Sequence, residues 1–310
     1  MTTRDRSLAA FVAVVWGLNF LAVRVGLNLF PPFFLAALRY VLLVIPVVLF
    51  VPKPDVPLRW LIGYGLGFGT FQFGLLFLAI KEGMPAGLSA VVFQIVAPFT
   101  VLLGALLLSE RLSVRQLGGI GVAVVGMAVI AVDRAEVAGL LPMVLTVLAA
   151  LCSALGTLSA RMAKPANPWR LALWMSVIPP LPLLALSAVL EGPATGWLAF
   201  RGAFTAHGWP SIVAVGYIVL LGTVVGSGIW TGLLRRYPAG TVAPFTMLSP
   251  VFGIAGAWLA LHETPTLLAL AGSAAVVGGV LIGTPRPVRP TRASDAQPAG
   301  GDRRIGTSGR

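Results

Sequence analysis

Residues 87–109 read GLSAVVFQIVAPFTVLLGALLLS, 23 positions without a charge, and Glu110-Arg111 closes the run. About 20 mostly apolar residues in a helix cover the roughly 30 Å hydrocarbon layer of a bilayer. The stretch therefore predicts a spanning helix. Working outward, nine further runs have the same character: 8–28, 33–51, 60–80, 117–132, 140–160, 171–190, 211–234, 241–261 and 267–284. The fifth run in chain order is short and glycine-rich, and the last is rich in Gly and Ala. Small residues of that kind let spanning helices pack closely.

The composition agrees. Apolar residues make up 57% of the 310 positions and charged residues 10%, against about 25% charged in a soluble domain. The body of the chain has too few polar side chains to cover itself in water. The net charge of +12 is spread singly or in pairs between apolar runs, which argues against nucleic acid as a partner. Membrane lipid is the expected partner of the apolar surface, and the basic tail suits anionic headgroups. One cysteine, Cys152, and two histidines, His207 and His262, exclude an internal disulfide and a Cys/His metal cluster. No phosphate-binding Gly-x-x-x-x-Gly-Lys-Ser/Thr loop is present, so ATP is not an evident energy source. No cofactor and no catalytic residue are expected.

Charge also orients the chain. Ten crossings place both termini on one side. With that side cytoplasmic, the inner segments hold 17 Lys and Arg and the outer segments 3. Without the tail the count is 11 against 3. This is the positive-inside pattern. Residues 285–310 are rich in Pro, Arg, Asp, Gly and Ser and read as a disordered cytoplasmic tail.

Residues 63–126 laid over 216–279, an offset of 153 without a gap, are identical at 16 of 64 positions. The matches include Gly63/Gly216, Tyr64/Tyr217, Gly69/Gly222, Thr70/Thr223, Phe99/Phe252, Glu110/Glu263 and Gly126/Gly279, with Pro85-Ala86-Gly87 over Pro238-Ala239-Gly240. The reading is an all-α integral membrane protein whose ten helices form two units, 8–132 and 140–284. Five spans per unit put the second unit upside down relative to the first. Inverted repeats recur in secondary transporters, where a central site is exposed to either side in turn.

Several motifs then carry a resemblance: Trp16-Gly17-Leu18-Asn19-Phe20, Pro31-Pro32, Leu38-Arg39-Tyr40, Gly63-Tyr64-Gly65-Leu66, Gln72-Phe73, Gly83-Met84-Pro85-Ala86-Gly87-Leu88, Ser109-Glu110-Arg111-Leu112, Gly228-Ile229-Trp230, Val242-Ala243-Pro244 and His262-Glu263. The chain resembles the EamA-type branch of the drug/metabolite transporter superfamily over about residues 8–283, and within it the bacterial exporters of O-acetylserine and cysteine. That resemblance implies a secondary transporter in the bacterial inner membrane that exports small amino-acid-like metabolites. A drug or another metabolite on the same fold is the alternative. Thr157 stands where the exporter pattern has Asn, Ser227 where it has an aromatic residue, and Lys81-Glu82 where it has a less charged pair.

Polar residues at membrane depth mark the candidate site. Arg39 lies two turns into the second span, and a guanidinium there costs roughly 2.5–3.5 kcal/mol to insert. It pairs with protein, reaches water, or meets a substrate carboxylate. Asn19, Gln72 and Gln94 each offer donors and an acceptor and suit a small polar or amphipathic metabolite. Trp16, Phe20, Tyr64, Phe71 and Trp230 are candidates for the apolar wall, with Thr157 and Ser227 beside them. Ser227 shares a helical face with Trp230. Glu110, His262 and Glu263 are candidates for proton coupling, but the preferred reading is structural, with each glutamate beside the interface pairing with a nearby cation or helix terminus and His262 an ordinary interfacial histidine. Pro98, Pro244 and Pro250 lack the amide a helix ladder needs and predict breaks. A channel or an intramembrane enzyme using Ser227 with His207 or His262 is the alternative from another class.

Overall fold

The computed structural model describes residues 1–109, 112–135, 140–205, 207–237 and 242–283. Eight helices are long and apolar enough to cross a membrane. They are α1 (Thr3–Gly26), α2 (Pro32–Phe50), α3 (Leu58–Lys81), α4 (Ala86–Leu108), α5 (Val114–Asp133), α6 (Leu141–Met162), α7 (Pro168–Leu190) and α8 (Trp209–Arg236). Two shorter apolar helices follow, α9 (Ser249–Leu261) and α10 (Leu267–Gly283). The chain is an all-α, multi-pass membrane protein. Large apolar side chains stand exposed along its outer surface, among them Phe50 at 80%, Leu181 at 78% and Leu259 at 72%. No water-soluble fold carries such a surface without a partner.

The ninth run differs from its expected extent of 241–261. Its regular helix begins only at Ser249, after a 3-10 stretch over Ala243–Leu248. Pro250 has no N–H for the Thr246 carbonyl, so the ladder cannot run unbroken through this segment. The same cause acts in α4, where Pro98 deprives the Gln94 carbonyl and Phe93–Ile95 tightens into a 3-10 turn. In α7, Pro179 and Pro180 deprive Met175 and Ser176, and a 3-10 turn spans Met175–Val177.

Helices α3 and α8 break in the opposite sense. Each widens into a π turn, over Gly65–Phe71 and Tyr217–Val225. Within each turn a threonine hydroxyl bonds the carbonyl five residues back: Thr70 to Gly65 at 3.4 Å and Thr223 to Ile218 at 2.8 Å. The two bonds are 153 residues apart, the offset of the sequence repeat. The C-caps of α4 and α9, Ser109 and His262, also stand 153 apart, and both take left-handed backbone at φ 55°.

The seams between helices follow small residues. Helices α5 and α10 run antiparallel, with Gly119 against Gly279 and Gly126 against Gly272. Adding 153 to the first residue of each contact and subtracting it from the second returns the other contact. Helices α3 and α6 pack antiparallel, Gly67 lying against the backbone of Cys152 and Gly156. Helices α1 and α8 pack antiparallel as well. Gly222 and Gly226 of α8 leave space for Asn19 and Trp16 of α1.

The longest connection holds a short helix, Thr195–Ala203. Trp197, Phe204 and Trp209 are exposed at 60%, 71% and 61%. Trp197 stacks on Phe200, which meets Phe204 edge-on. Such a ladder suits the headgroup level.

Candidate functional site

The α1–α8 seam is the axis of the site. At one end, in the first turn of α1, Asp5 accepts hydrogen bonds from the Thr2 hydroxyl at 2.6 Å and the Tyr237 hydroxyl at 2.7 Å, and it pairs with Arg236 at 3.5 Å. At the other end the Ser211 hydroxyl donates to the Val25 carbonyl at 3.3 Å. Between these ties the π turn of α8 faces α1. Trp16 Nε1 donates to the Gly222 carbonyl at 2.9 Å, and the Tyr217 hydroxyl donates to the Val15 carbonyl at 2.9 Å. Trp16 also packs against Trp230 at 5.3 Å between ring centroids.

Arg39 reaches this turn from α2. It is only 8% exposed. Its Nε donates to Thr223 Oγ1 at 3.1 Å, while that hydroxyl donates to Ile218. The guanidinium carbon lies 3.9 Å from the centre of the Phe73 ring and 5.5 Å from that of Tyr40. Among the described residues no carboxylate forms an ion pair with it, and its buried Nη1 has no hydrogen-bond partner. A buried charge without a counter-charge is one of the most costly groups a fold can hold. The aromatic face offsets part of that cost.

Nearby polar atoms are also unsatisfied. Asn19 Oδ1, Gln72 Oε1 and the Tyr40 hydroxyl are buried without partners. Asn19 Oδ1 lies against Gly222, close enough that a Cβ there would stand 2.6 Å away. Gln72, 4% exposed, immediately precedes Phe73. Native interiors satisfy nearly all buried polar groups; here these atoms lack partners, as do Ser89 Oγ and Ser249 Oγ.

The remaining sequence candidates divide. Phe20 and Tyr64 pack at the edge of the main apolar core, and Tyr64 meets Phe68 at 5.4 Å. Phe71 is 44% exposed and belongs to none of these ring contacts. Thr157 on α6 and Ser227 on α8 are half-buried, and Gln94 sits in the 3-10 turn of α4. Ser227 has no hydrogen bond to His207 or His262 among the described residues, and both histidines are exposed. His207 lies 20 residues before Ser227, roughly 30 Å along a helix.

Glu263 does not face this centre. Its two carboxylate oxygens accept from the Ala86 and Gly87 amides at 3.3 and 3.4 Å, capping α4. Glu191 caps α2 in the same way through the Phe33 and Phe34 amides at 2.7 and 3.2 Å. Both helices open on proline and carry no side-chain cap of their own. His262 is the exposed C-cap of α9, and Glu110 lies outside the described residues.

Two cavities lie elsewhere. One of about 340 Å³ is lined by Pro98, Thr100, Gln116, Ile120 and Gly279, and one of about 170 Å³ by Asp133, Glu263, Thr266 and Ser273. Neither is lined by Arg39, which is itself buried. Sequence reasoning missed Thr223, Phe73, Tyr40 and Asp5. The Thr70/Thr223 match and the Gly222-x-x-x-Gly226 spacing were the available signals.

The comparisons with known proteins agree with this architecture. The chain is 39% identical over 288 residues to a protein of Escherichia coli (strain K12) named "Probable amino-acid metabolite efflux pump", covering 91% of this chain and 95% of that one. It is 28% identical over 282 residues to the "Probable terminal-alkyne amino-acid exporter" of Streptantibioticus cattleyicolor, covering 87% and 89%. A solved crystal structure superposes with a TM-score of 0.54 at 19% identity, over 92% of this chain and 97% of that one, a likeness of fold alone. The pattern of the EamA-like transporter family matches residues 7–132 and 140–284, nearly the whole membrane body, and the chain belongs to that family.

Proposed function

We propose that this transporter is an exporter of small amino-acid-like metabolites in the bacterial inner membrane, working by alternating access. O-acetylserine and cysteine are the first substrates to test. In this reading α1–α10 all cross the bilayer, as two five-helix units, 8–132 and 140–284, of opposite orientation. Both termini face the cytoplasm, and a proton gradient is the candidate driving force.

The observation that carries the reading is the set of buried, unsatisfied polar atoms on Asn19, Arg39 and Gln72 inside an otherwise apolar bundle, the first two of them against the π turn of α8. A carrier must hold polar groups for its cargo where lipid would forbid them. The names of the two relatives supply the amino-acid class. The inverted architecture is supported by features recurring at an offset of 153: the paired π turns, the paired left-handed caps and the exchanged glycine contacts of α5 and α10.

The test is counterflow in proteoliposomes with labelled O-acetylserine and cysteine, within a wider metabolite panel, with and without a proton gradient. Saturable exchange of either compound is the expected result. Exchange of other metabolites only removes the substrate assignment. Silence across the whole panel removes the carrier reading.

A further inference from the structure

The unsatisfied atoms have a chemical pattern of their own. Arg39 Nη1 is a cationic donor. Asn19 Oδ1 and Gln72 Oε1 are amide acceptors. All three atoms are buried, and two of the side chains converge on adjacent residues of one turn, Asn19 on Gly222 and Arg39 on Thr223. The third belongs to the residue that precedes Phe73, whose ring carries the guanidinium. A free α-amino acid is the complement of that set. Its carboxylate needs a cationic donor, and its ammonium, which has three donors and no acceptor, needs carbonyl-type oxygens.

Resting on the carrier reading above, we propose that Arg39 reads the substrate's free carboxylate and that Asn19 and Gln72 receive its ammonium. The protein is thereby selective for zwitterions over esters and over deaminated acids. The geometry around Arg39 favours this. Nε is committed to Thr223, which fixes the plane of the guanidinium, and Phe73 covers one face of it. The Nη1 edge is what remains, and a guanidinium edge is suited to a carboxylate. Among the described residues no acidic side chain competes for it. The burial of Arg39 makes the discrimination strong, because a cargo that leaves the charge unpaired gives nothing back for its desolvation. Thr223 acts as a positioning residue: it holds the guanidinium and does not itself meet the cargo.

The experiment is inhibition of labelled O-acetylserine counterflow by three unlabelled competitors: O-acetylserine, its methyl ester and 3-acetoxypropanoate, which lacks the ammonium. In the wild-type protein the ester and the deaminated acid should each compete at least about tenfold more weakly than the zwitterion, the loss of one charge-assisted contact. Arg39→Gln should bring the zwitterion-to-ester ratio towards one while leaving the zwitterion-to-deaminated-acid ratio in place. Asn19→Leu with Gln72→Leu should do the reverse. Arg39→Lys, which keeps the charge, should retain part of the ester discrimination and serves where Arg39→Gln fails to fold. Thr223→Val should blunt the same ratio without abolishing transport. Equal competition by acid and ester in the wild type overturns the assignment while leaving the carrier reading intact. So does an unchanged ratio in folded Arg39→Gln or Arg39→Lys. Absence of wild-type counterflow with every competitor and substrate overturns the carrier reading and this assignment together.

Discussion

The α5–α10 seam offers a test of the architecture that does not depend on knowing the cargo. A Cβ added to Gly279 would stand 2.5 Å from the Ala123 amide nitrogen and 2.6 Å from the Gly119 carbonyl oxygen. A Cβ added to Gly126 would stand 2.7 Å from both the Val276 nitrogen and the Gly272 oxygen. The obstructing atoms are backbone, so the helices themselves must part by roughly half an ångström or more. Overpacking of that kind costs roughly 1–3 kcal/mol, and replacing Gly by Ala in a helix returns up to roughly 1 kcal/mol. Gly278 and Gly118, each next to a contact glycine, have nothing within 4 Å of the same position. There Ala should be neutral or stabilising. The difference between Gly279→Ala and Gly278→Ala cancels the propensity gain and isolates the contact, at roughly 2 kcal/mol. The assay is reversible unfolding in mixed micelles with rising SDS, followed by the fluorescence of the 8 tryptophans. Because the obstructing atoms of Gly126 and Gly279 are themselves 153 residues apart, the two Ala substitutions should cost the same within about 0.5 kcal/mol. Equal effects at Gly278 and Gly279 would refute the packing argument. A large cost at Gly279 with none at Gly126 would refute the pairing of the two halves.

Three further outcomes are expected. Glu263→Gln should lower stability by about 1 kcal/mol, since it weakens a charge-assisted cap on α4, and should leave the proton dependence of counterflow unchanged; a lost proton dependence would return Glu263 to the coupling machinery. Glu191→Ala should cost about 1–2 kcal/mol through the equivalent cap on α2, read in the same SDS titration. Asp5→Asn removes the ion pair with Arg236 at the end of the α1–α8 seam and should raise the rate at which a cysteine placed at Trp230 reacts with a water-soluble maleimide; an unchanged rate would mean that this tie does not close the seam.

Element positions were largely legible because lipid imposes one requirement, a mostly apolar run of spanning length; eight of the ten runs form helices of that length, and the last two form shorter ones, Ser249–Leu261 and Leu267–Gly283. The breaks were legible only where proline caused them. Pro98 and Pro250 announce the 3-10 turns of α4 and of the stretch before α9, whereas the π turns have no such marker. Gly65, Gly67 and Gly69 permit the first, but Tyr217–Val225 is mostly Val and Leu with one glycine. Of the candidate side chains, Trp16, Asn19, Arg39 and Trp230 meet around α8. Gln72 precedes Phe73 in α3, Phe20 and Tyr64 pack at the edge of the main apolar core, and Phe71 is exposed. A cap was among the readings of Glu263, but which helix it caps was beyond reach, because the contact spans 176 residues. The functions of Thr223 and Phe73 were equally hidden: each acts on Arg39 through tertiary geometry that no local spacing encodes.

The two π turns are alike in register and unlike in what holds them. In α3 the Thr70 hydroxyl is fully buried and bonds Gly65 weakly, at 3.4 Å. The turn around it packs against the α6 backbone at Gly156. In α8 the Thr223 bond to Ile218 is short, at 2.8 Å, and the same hydroxyl accepts from Arg39. A π turn holds an extra residue that can be passed along a helix by exchanging i→i+5 for i→i+4 bonds. The α3 turn is held by close backbone packing. The α8 turn is held by hydrogen bonds that involve Trp16, Tyr217 and Arg39. A ligand shifts a conformational equilibrium only through interactions that differ between the states. A cargo that takes the Nη1 edge while Nε keeps its bond to Thr223 would favour the α8 turn as it stands, a difference that the backbone-held turn of α3 does not offer.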